Sequence, residues 1–459
     1  MGKKAFLNFL KNKINWKLMI ILLFFQLLPV IYKTTRIYFL GNLPDENAFN
    51  IASQILWLNV FYEIINESIV IPLFFVFSKL KENKNWKHVY SLITIFVFFV
   101  YLIFTISIFF NIDNILLSLI INNENLFLRS SEYIKYEVWG TFLFSIFSYL
   151  FLTTTIFKFD KYILINGIVC IAFTFFSFIF DLFFITDFSF SLKLSIKGIG
   201  INSIIVNFIC CVIFVIYLSL PNIKIWNFNF KNNVNVNKEY VKQYFYLFLI
   251  SSIEVLVRNL CFYFMIINPI NSLNSSGIYW VANDFIWTWL LLPITTISIY
   301  IKETFILNDE ENNNLFKYQL LFYSIFISII IFIWLVTIPI NPIFIKNVLG
   351  SSNEYKSVSQ LILILIPFYI FFAYSSIFDS IFIRQGKISY YCIQSLIVNL
   401  TVYPIYFALW KTNIWTPTLE SVAIMFGIGM LTHFVVDIPL FLLFLNNNKI
   451  IKFKFMNKH

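Results

Sequence analysis

The residues that could do chemistry in this chain are charged side chains set inside long apolar runs. Glu254 and Arg258 stand in SSIEVLVRNL, Asp284 in VANDFIW and Asp181 in FIFDLFF. Lys33 and Arg36 stand in IYKTTRIYF, Glu63 and Glu67 in FYEIINES, and Asp437 in FVVDIPLF. A charge at the centre of a bilayer-spanning helix costs at least about 2.5 kcal/mol, so it is expected to face a partner, a water-filled cavity or a transported ion. Glu254 and Arg258 are four residues apart, on one face of a helix and within reach of each other. Lys33 and Arg36 also share a face, and Asn59, Glu63 and Glu67, with Asn66 beside them, make a polar stripe. The plain reading of such pairs is structural, an ion pair that holds neighbouring helices. The chemical reading is binding and release of ions. No G-x-x-x-x-G-K-[ST], H-E-x-x-H or G-x-S-x-G motif occurs, which argues against an ATP-driven or hydrolytic machine.

The elements that must position these residues are transmembrane helices. Of 459 residues, 59% are hydrophobic, 21% aromatic and 12% charged, and the mean hydropathy is +0.80. Soluble domains carry roughly 25% charge. About 20 apolar residues span a bilayer, and twelve stretches qualify: 17–40, 48–78, 86–111, 133–157, 161–186, 197–220, 240–268, 275–302, 315–340, 355–383, 388–410 and 420–446. The expected fold class is therefore all-α, a polytopic membrane protein of twelve transmembrane helices. The long polar segment 221–238 divides it into two six-helix lobes, 1–220 and 239–459. The N-terminal apolar run passes 20 residues without a small-residue cleavage site and reads as the first span, not a signal peptide. With the N-terminus inside, cytoplasmic segments hold 23 of the 33 Lys and Arg, external loops hold 7, and Lys33, Arg36 and Arg258 lie within spans. That bias predicts cytoplasmic termini and accounts for the +10 net charge without a nucleic-acid partner. The five cysteines lie in apolar runs with no metal-ligand spacing. His88 and His433 are isolated and His459 is terminal, so no zinc site is expected.

The stretch Ser251 to Glu303 carries a family resemblance. A mid-helix Glu, an external turn, then A-N-D-F, L-L-P and a basic residue resemble the seventh and eighth helices of multidrug and toxic compound extrusion (MATE) transporters. In that family the Glu matching Glu254 lies in the cavity of the C-terminal lobe and takes part in cation coupling. The first span departs from the family pattern. The position five before Gly41 is acidic in MATE proteins and is Arg36 here. In the fifth span Ser177 stands for the family's Asn and Asp181 matches its Asp. Arg36 and Asp181 lie at similar depth, so Arg36 is expected to take the place of a bound cation and pair with Asp181. With a fixed cation beside it, Asp181 would be a poor proton carrier. Gly198 and Gly200 resemble the start of the sixth MATE helix and would serve a tight turn or a close helix contact. IFIRQGK at the end of the tenth span is similar to the family's Leu-Arg-Gly-x-Gly segment. The acidic ligand of some members, eleven residues before the Arg, falls on Ala373. Asp379 reads as a surface partner of Arg384 or Lys387, whereas Asp437 lies deeper.

The resemblance implies a secondary transporter of the multidrug/oligosaccharidyl-lipid/polysaccharide (MOP) superfamily that exports amphipathic cationic or neutral molecules from the cell by alternating access. Glu254 would be its coupling site, and Na⁺ or H⁺ its coupling ion. Trp280, Trp287, Trp289, Phe371, Phe372 and Tyr374 would supply cavity walls and cation–π contacts. No cofactor is expected, and the expected partners are the substrate and membrane lipids, with the chain a monomer in the cell membrane. A flippase for lipid-linked oligosaccharide is the alternative, since Lys33, Arg36 and Arg258 could hold pyrophosphate. A membrane-embedded enzyme is a third reading, but no loop shows a His- or Asp-rich catalytic segment.

Overall fold

Apolar runs of 23 to 35 residues leave the backbone no partner in lipid except itself, and the chain folds into helices accordingly. The computed structural model describes all residues except 1–2, 44, 46, 81–85, 120–123, 158–161, 222, 224, 226–233, 308–314, 352–353 and 449–459. Most of the segment 221–238 therefore lies outside the described residues. A short helix α1 (Lys3–Asn12) precedes α2 (Trp16–Gly41). Asn15 separates them by accepting the Leu18 N–H at 3.0 Å as an N-cap. The first half continues with α3 (Ala48–Ala52), α4 (Ile55–Leu80), α5 (Trp86–Leu119), α6 (Glu124–Phe157), α7 (Tyr162–Phe184) and α8 (Lys197–Ser219). The second half begins with α9 (Val234–Phe262), which runs through a π-helical turn (Tyr263–Ile267) into α10 (Asn268–Ser272). Then come α11 (Ser276–Phe285), a second π-helical turn (Ile286–Leu290), α12 (Leu292–Thr304), α13 (Leu315–Thr337) and α14 (Asn341–Asn347). Helices α15 (Tyr355–Arg384), α16 (Ile388–Lys411) and α17 (Leu419–Asn447) complete the chain.

Among the described residues eleven helices are long and apolar enough to cross a membrane, and α11 with α12, bent by 54°, makes a twelfth if the pair is one span. The protein is thus an all-α, multi-pass membrane protein. The bend falls where Pro293 has no N–H to give and where the π turn has already shifted the hydrogen-bond ladder. The N-terminal lysine-bearing segment is helical, and its Phe9 ring stacks on Tyr318 at 5.8 Å.

Within the first half, α6 packs closely along α8, α7 joins α8, and α2 lies on α7. Small residues allow this approach. A Cβ on Gly200 would lie 2.6 Å from the Tyr136 Cβ, and one on Gly140 would lie 2.5 Å from the Ser203 Cβ. In the second half α15 and α16 pack on α17 and α12 packs on α15. The halves meet along α4 and α9 and along α2 and α12. They also touch at both ends. At one, a Cβ on Gly41 would meet the Gly350 carbonyl oxygen at 2.5 Å, and Asn50 Oδ1 accepts from the Gly277 N–H at 3.1 Å. At the other, Gly386 (φ +68°) packs under the Phe75 ring.

Candidate functional site

The halves are joined at mid-span by ions. On α9, Glu254 is fully buried, and one turn on Arg258 Nε donates to its Oε1 at 3.0 Å. The Arg258 guanidinium also reaches across to α4, where Nη2 donates to Glu67 Oε2. Ser395 on α16 donates to the same Glu254 oxygen at 2.5 Å. The other oxygen, Oε2, has no hydrogen-bond partner among the described residues. Glu63, one turn before Glu67, lies within electrostatic reach of Glu67, Arg258 and Lys33, and Lys33 of α2 in turn lies within reach of Asp284 on α11. Lys33 and Glu63 are exposed although they sit mid-span. They therefore line an open gap beside this contact between the halves, not a packed interior. The gap is closed on the α2 side by Trp289 Nε1 donating to Thr34 Oγ1 at 2.9 Å.

A second ionic cluster lies inside the first half. Arg36 Nε donates to Asp181 Oδ2 at 3.0 Å and Nη2 to Oδ1 at 3.2 Å, a bidentate fork. The Arg36 guanidinium lies over the Tyr32 ring, 4.7 Å from its centroid. Asn202 of α8 donates to Asp181 Oδ1 and to the Ser177 carbonyl, the latter at 2.8 Å. The buried Glu137 of α6 accepts from Ser203 Oγ at 3.2 Å and sits within electrostatic reach of Arg36 and Asp181.

The third cluster is in the second half. His433 and Asp437 are one turn apart on α17, and Asp379 projects from α15. His433 Nε2 stands 3.7 Å from an oxygen of each carboxylate, and Gln394 of α16 donates to Asp379 Oδ1.

This architecture has known counterparts. Over 95% of the chain and 97% of the other, it superposes on a mutant of the Vibrio cholerae MATE transporter VcmN, with TM-score 0.66 and 14% identity. A MOP superfamily transporter from Pyrococcus furiosus matches with TM-score 0.70 and 13% identity over 94% of each chain. The binding pocket of that protein has reversed polarity, taken to suggest a different function. An outward-facing multidrug resistance MATE family transporter matches with TM-score 0.63 and 16% identity over 94% of each chain. This is the MATE-transporter fold. By sequence, no family model and no curated protein matches the chain.

On the MATE fold the residues singled out in the sequence gather into those three clusters. Glu254, Arg258, Glu67, Glu63, Lys33 and Asp284 share the first, Arg36 and Asp181 the second, and Asp437 belongs to the third. Trp287 and Phe372 meet edge to face at 5.6 Å, whereas Phe371 packs on Phe434.

Two expectations are corrected. Asp379 is not a surface partner of Arg384 or Lys387. It faces Gln394 and His433 inside the half, and Arg384 Nε instead points at the Phe305 carbonyl at 3.5 Å. His433 is isolated in sequence but not in space, and Asp437 four residues on was the legible signal. Glu137 and Asn202 were not foreseen as site residues. Glu137 lies in RSSEYIKYEVWG, a stretch whose other charges mark it as interfacial, and packing of α6 against its neighbours, α8 among them, buries it.

Proposed function

We propose that the chain is a secondary active transporter of the cell membrane that exchanges amphipathic, preferentially cationic, small molecules against Na⁺ or H⁺ by alternating access. The observation that carries this reading is the charge balance between the halves. Among the described residues Glu63, Glu67, Glu254 and Asp284 face Lys33 and Arg258, with Lys302 also within reach of Glu67, which leaves an excess of one negative charge when all are ionised. Uncompensated carboxylates at mid-span favour a mobile cation. A lipid-linked pyrophosphate would need the opposite excess, which argues against the flippase reading. The MATE family neighbours support the same conclusion by fold.

In this reading Arg258 is the moving part of the coupling. It is shared between Glu254 on its own helix and Glu67 on α4. A proton or Na⁺ taken up by Glu254 releases Arg258 toward Glu67, and one taken up by Glu67 loosens the tie between the halves. The ion then favours one state through differential affinity. Arg36 permanently fills the place of a cation beside Asp181, so coupling falls to the interface cluster. The two lobes, 1–220 and 239–459 with 221–238 between them, move against each other, with both termini cytoplasmic. The chain acts as a monomer.

The test is uptake of ethidium into inverted vesicles under an imposed Na⁺ or H⁺ gradient, comparing wild type with Glu254→Gln. Gradient-driven uptake that is lost in the variant supports the reading. Absence of gradient-driven uptake in the wild type refutes it, and lipid-linked sugars become the substrates to try.

A further inference from the structure

The cluster of Asp379, His433 and Asp437 has the geometry of a ligand set more than of an ion pair. One carboxylate oxygen of each Asp and one His433 ring nitrogen lie within 4.8 Å of one another. Both Nε2-to-oxygen separations are 3.7 Å, too long for a hydrogen bond. Two ligands bound to one ion at about 2.1 Å with an angle near 120° stand roughly 3.6 Å apart. Asp437 is fully buried, and neither of its oxygens has a hydrogen-bond partner among the described residues. His433 Nε2 lacks one as well.

The surroundings point the same way. Ser375 Oγ faces Asp437 from α15 and is 1% exposed. Gln394, fully buried, commits its amide nitrogen to Asp379 and leaves its carbonyl oxygen unpartnered. That amide orients Asp379 as an outer-shell partner orients a metal-bound carboxylate. Lys302 lies within electrostatic reach of Asp379 but sits over the Phe74 ring, 5.5 Å from its centroid. Buried, unpaired polar atoms of this number are costly unless something satisfies them.

We infer that Asp379, His433 and Asp437 bind one first-row divalent metal ion, with Ser375 Oγ or water completing the coordination. Imidazole with carboxylates suits Zn²⁺, Mn²⁺ or Co²⁺, whereas Mg²⁺ and Ca²⁺ favour oxygen alone. The bound ion ties α15 to α17 inside the second half. Binding is read without transport, so this inference stands or falls separately from the exchange activity.

The experiment uses the full chain in detergent, free of any polyhistidine tag, stripped with chelator and loaded with Zn²⁺. Metal retained through gel filtration is then measured by elemental analysis. About one Zn²⁺ per chain is expected in the wild type. It is lost in His433→Gln and in Asp437→Asn, weakened about tenfold in Gln394→Leu, and kept in Glu254→Gln. Substoichiometric Zn²⁺ in the wild type, or retention in both ligand variants, overturns the site. Co²⁺ loading of the wild type gives a check that needs no variant. A d–d spectrum without a thiolate charge-transfer band is expected, since no cysteine belongs to the cluster. A thiolate band refutes the assignment.

Discussion

Replacing Arg258 with Met tests whether the interface cluster is a unit. The variant keeps the length of the side chain and removes the charge. Two partners lose it unequally. Glu254 is 0% exposed and surrounded by α9 and α16, so an ionised Glu254 without Arg258 is an uncompensated buried charge. Breaking such a pair from one side costs about 3–5 kcal/mol. Glu67 is 36% exposed on the gap, as is 32% of Arg258. That arm resembles an exposed pair and contributes about 0–1 kcal/mol. Arg258→Met should therefore lose roughly 3–5 kcal/mol, and Glu67→Gln about 1 kcal/mol or less. Adding Glu254→Gln to Arg258→Met should recover most of the loss, because a neutral amide is left in place of a stranded carboxylate. The assay is unfolding in mixed micelles titrated with a denaturing detergent, for the four members of the Arg258/Glu254 cycle. A coupling of ~2 kcal/mol or more is expected for groups in direct contact. Effects that add to within about 0.5 kcal/mol would refute the reasoning. Arg258→Lys gives a finer test. It keeps the charge but not the fork that serves both acids, so it should hold stability better than Met yet weaken coupling of transport to the ion.

Other perturbations have defined outcomes. Arg36→Ala strands the fully buried Asp181 and should lower stability by about 3 kcal/mol or more, with Asp181→Asn added as the rescue; an unrescued double variant would place the damage elsewhere. Gly200→Ile forces α6 and α8 apart and should cost about 1–3 kcal/mol, read in the same titration. Gly167→Ala meets only Phe25 Cε1 at 3.7 Å and should be neutral or stabilising by up to about 1 kcal/mol. Gly386→Ala must hold φ +68° against the Phe75 ring and should lose at least about 1–2 kcal/mol.

Hydropathy alone located the spans, because a bilayer leaves an apolar run of this length no other fold. The Glu254–Arg258 contact was legible for the same local reason, since both residues lie on one helix at spacing four. Contacts between helices were legible only where depth and charge agreed, as for Arg36 and Asp181. Asp379 shows the limit. Its nearest cations in sequence are Arg384 and Lys387, but α15 turns it toward α16 and α17, whose arrangement no local pattern encodes. Asn202 and Glu137 were invisible for a related reason. Their meaning depends on the approach of α6 to α8 through Gly140 and Gly200.

The two π turns bracket a segment. Asn268–Phe285, which carries Asp284, lies between Tyr263–Ile267 and Ile286–Leu290. Each π turn holds one residue more than the α-helix would take at that point. Resolving either one passes that residue along the helix, turning the residues beyond it by about 100° and advancing them about 1.5 Å. Such a step would shift Asp284 relative to Lys33 without melting a helix, and it would break the Asn50–Gly277 contact that ties one end of the bundle. Movement of that charge would then be a change of winding number, stored in five residues on either side of the turn.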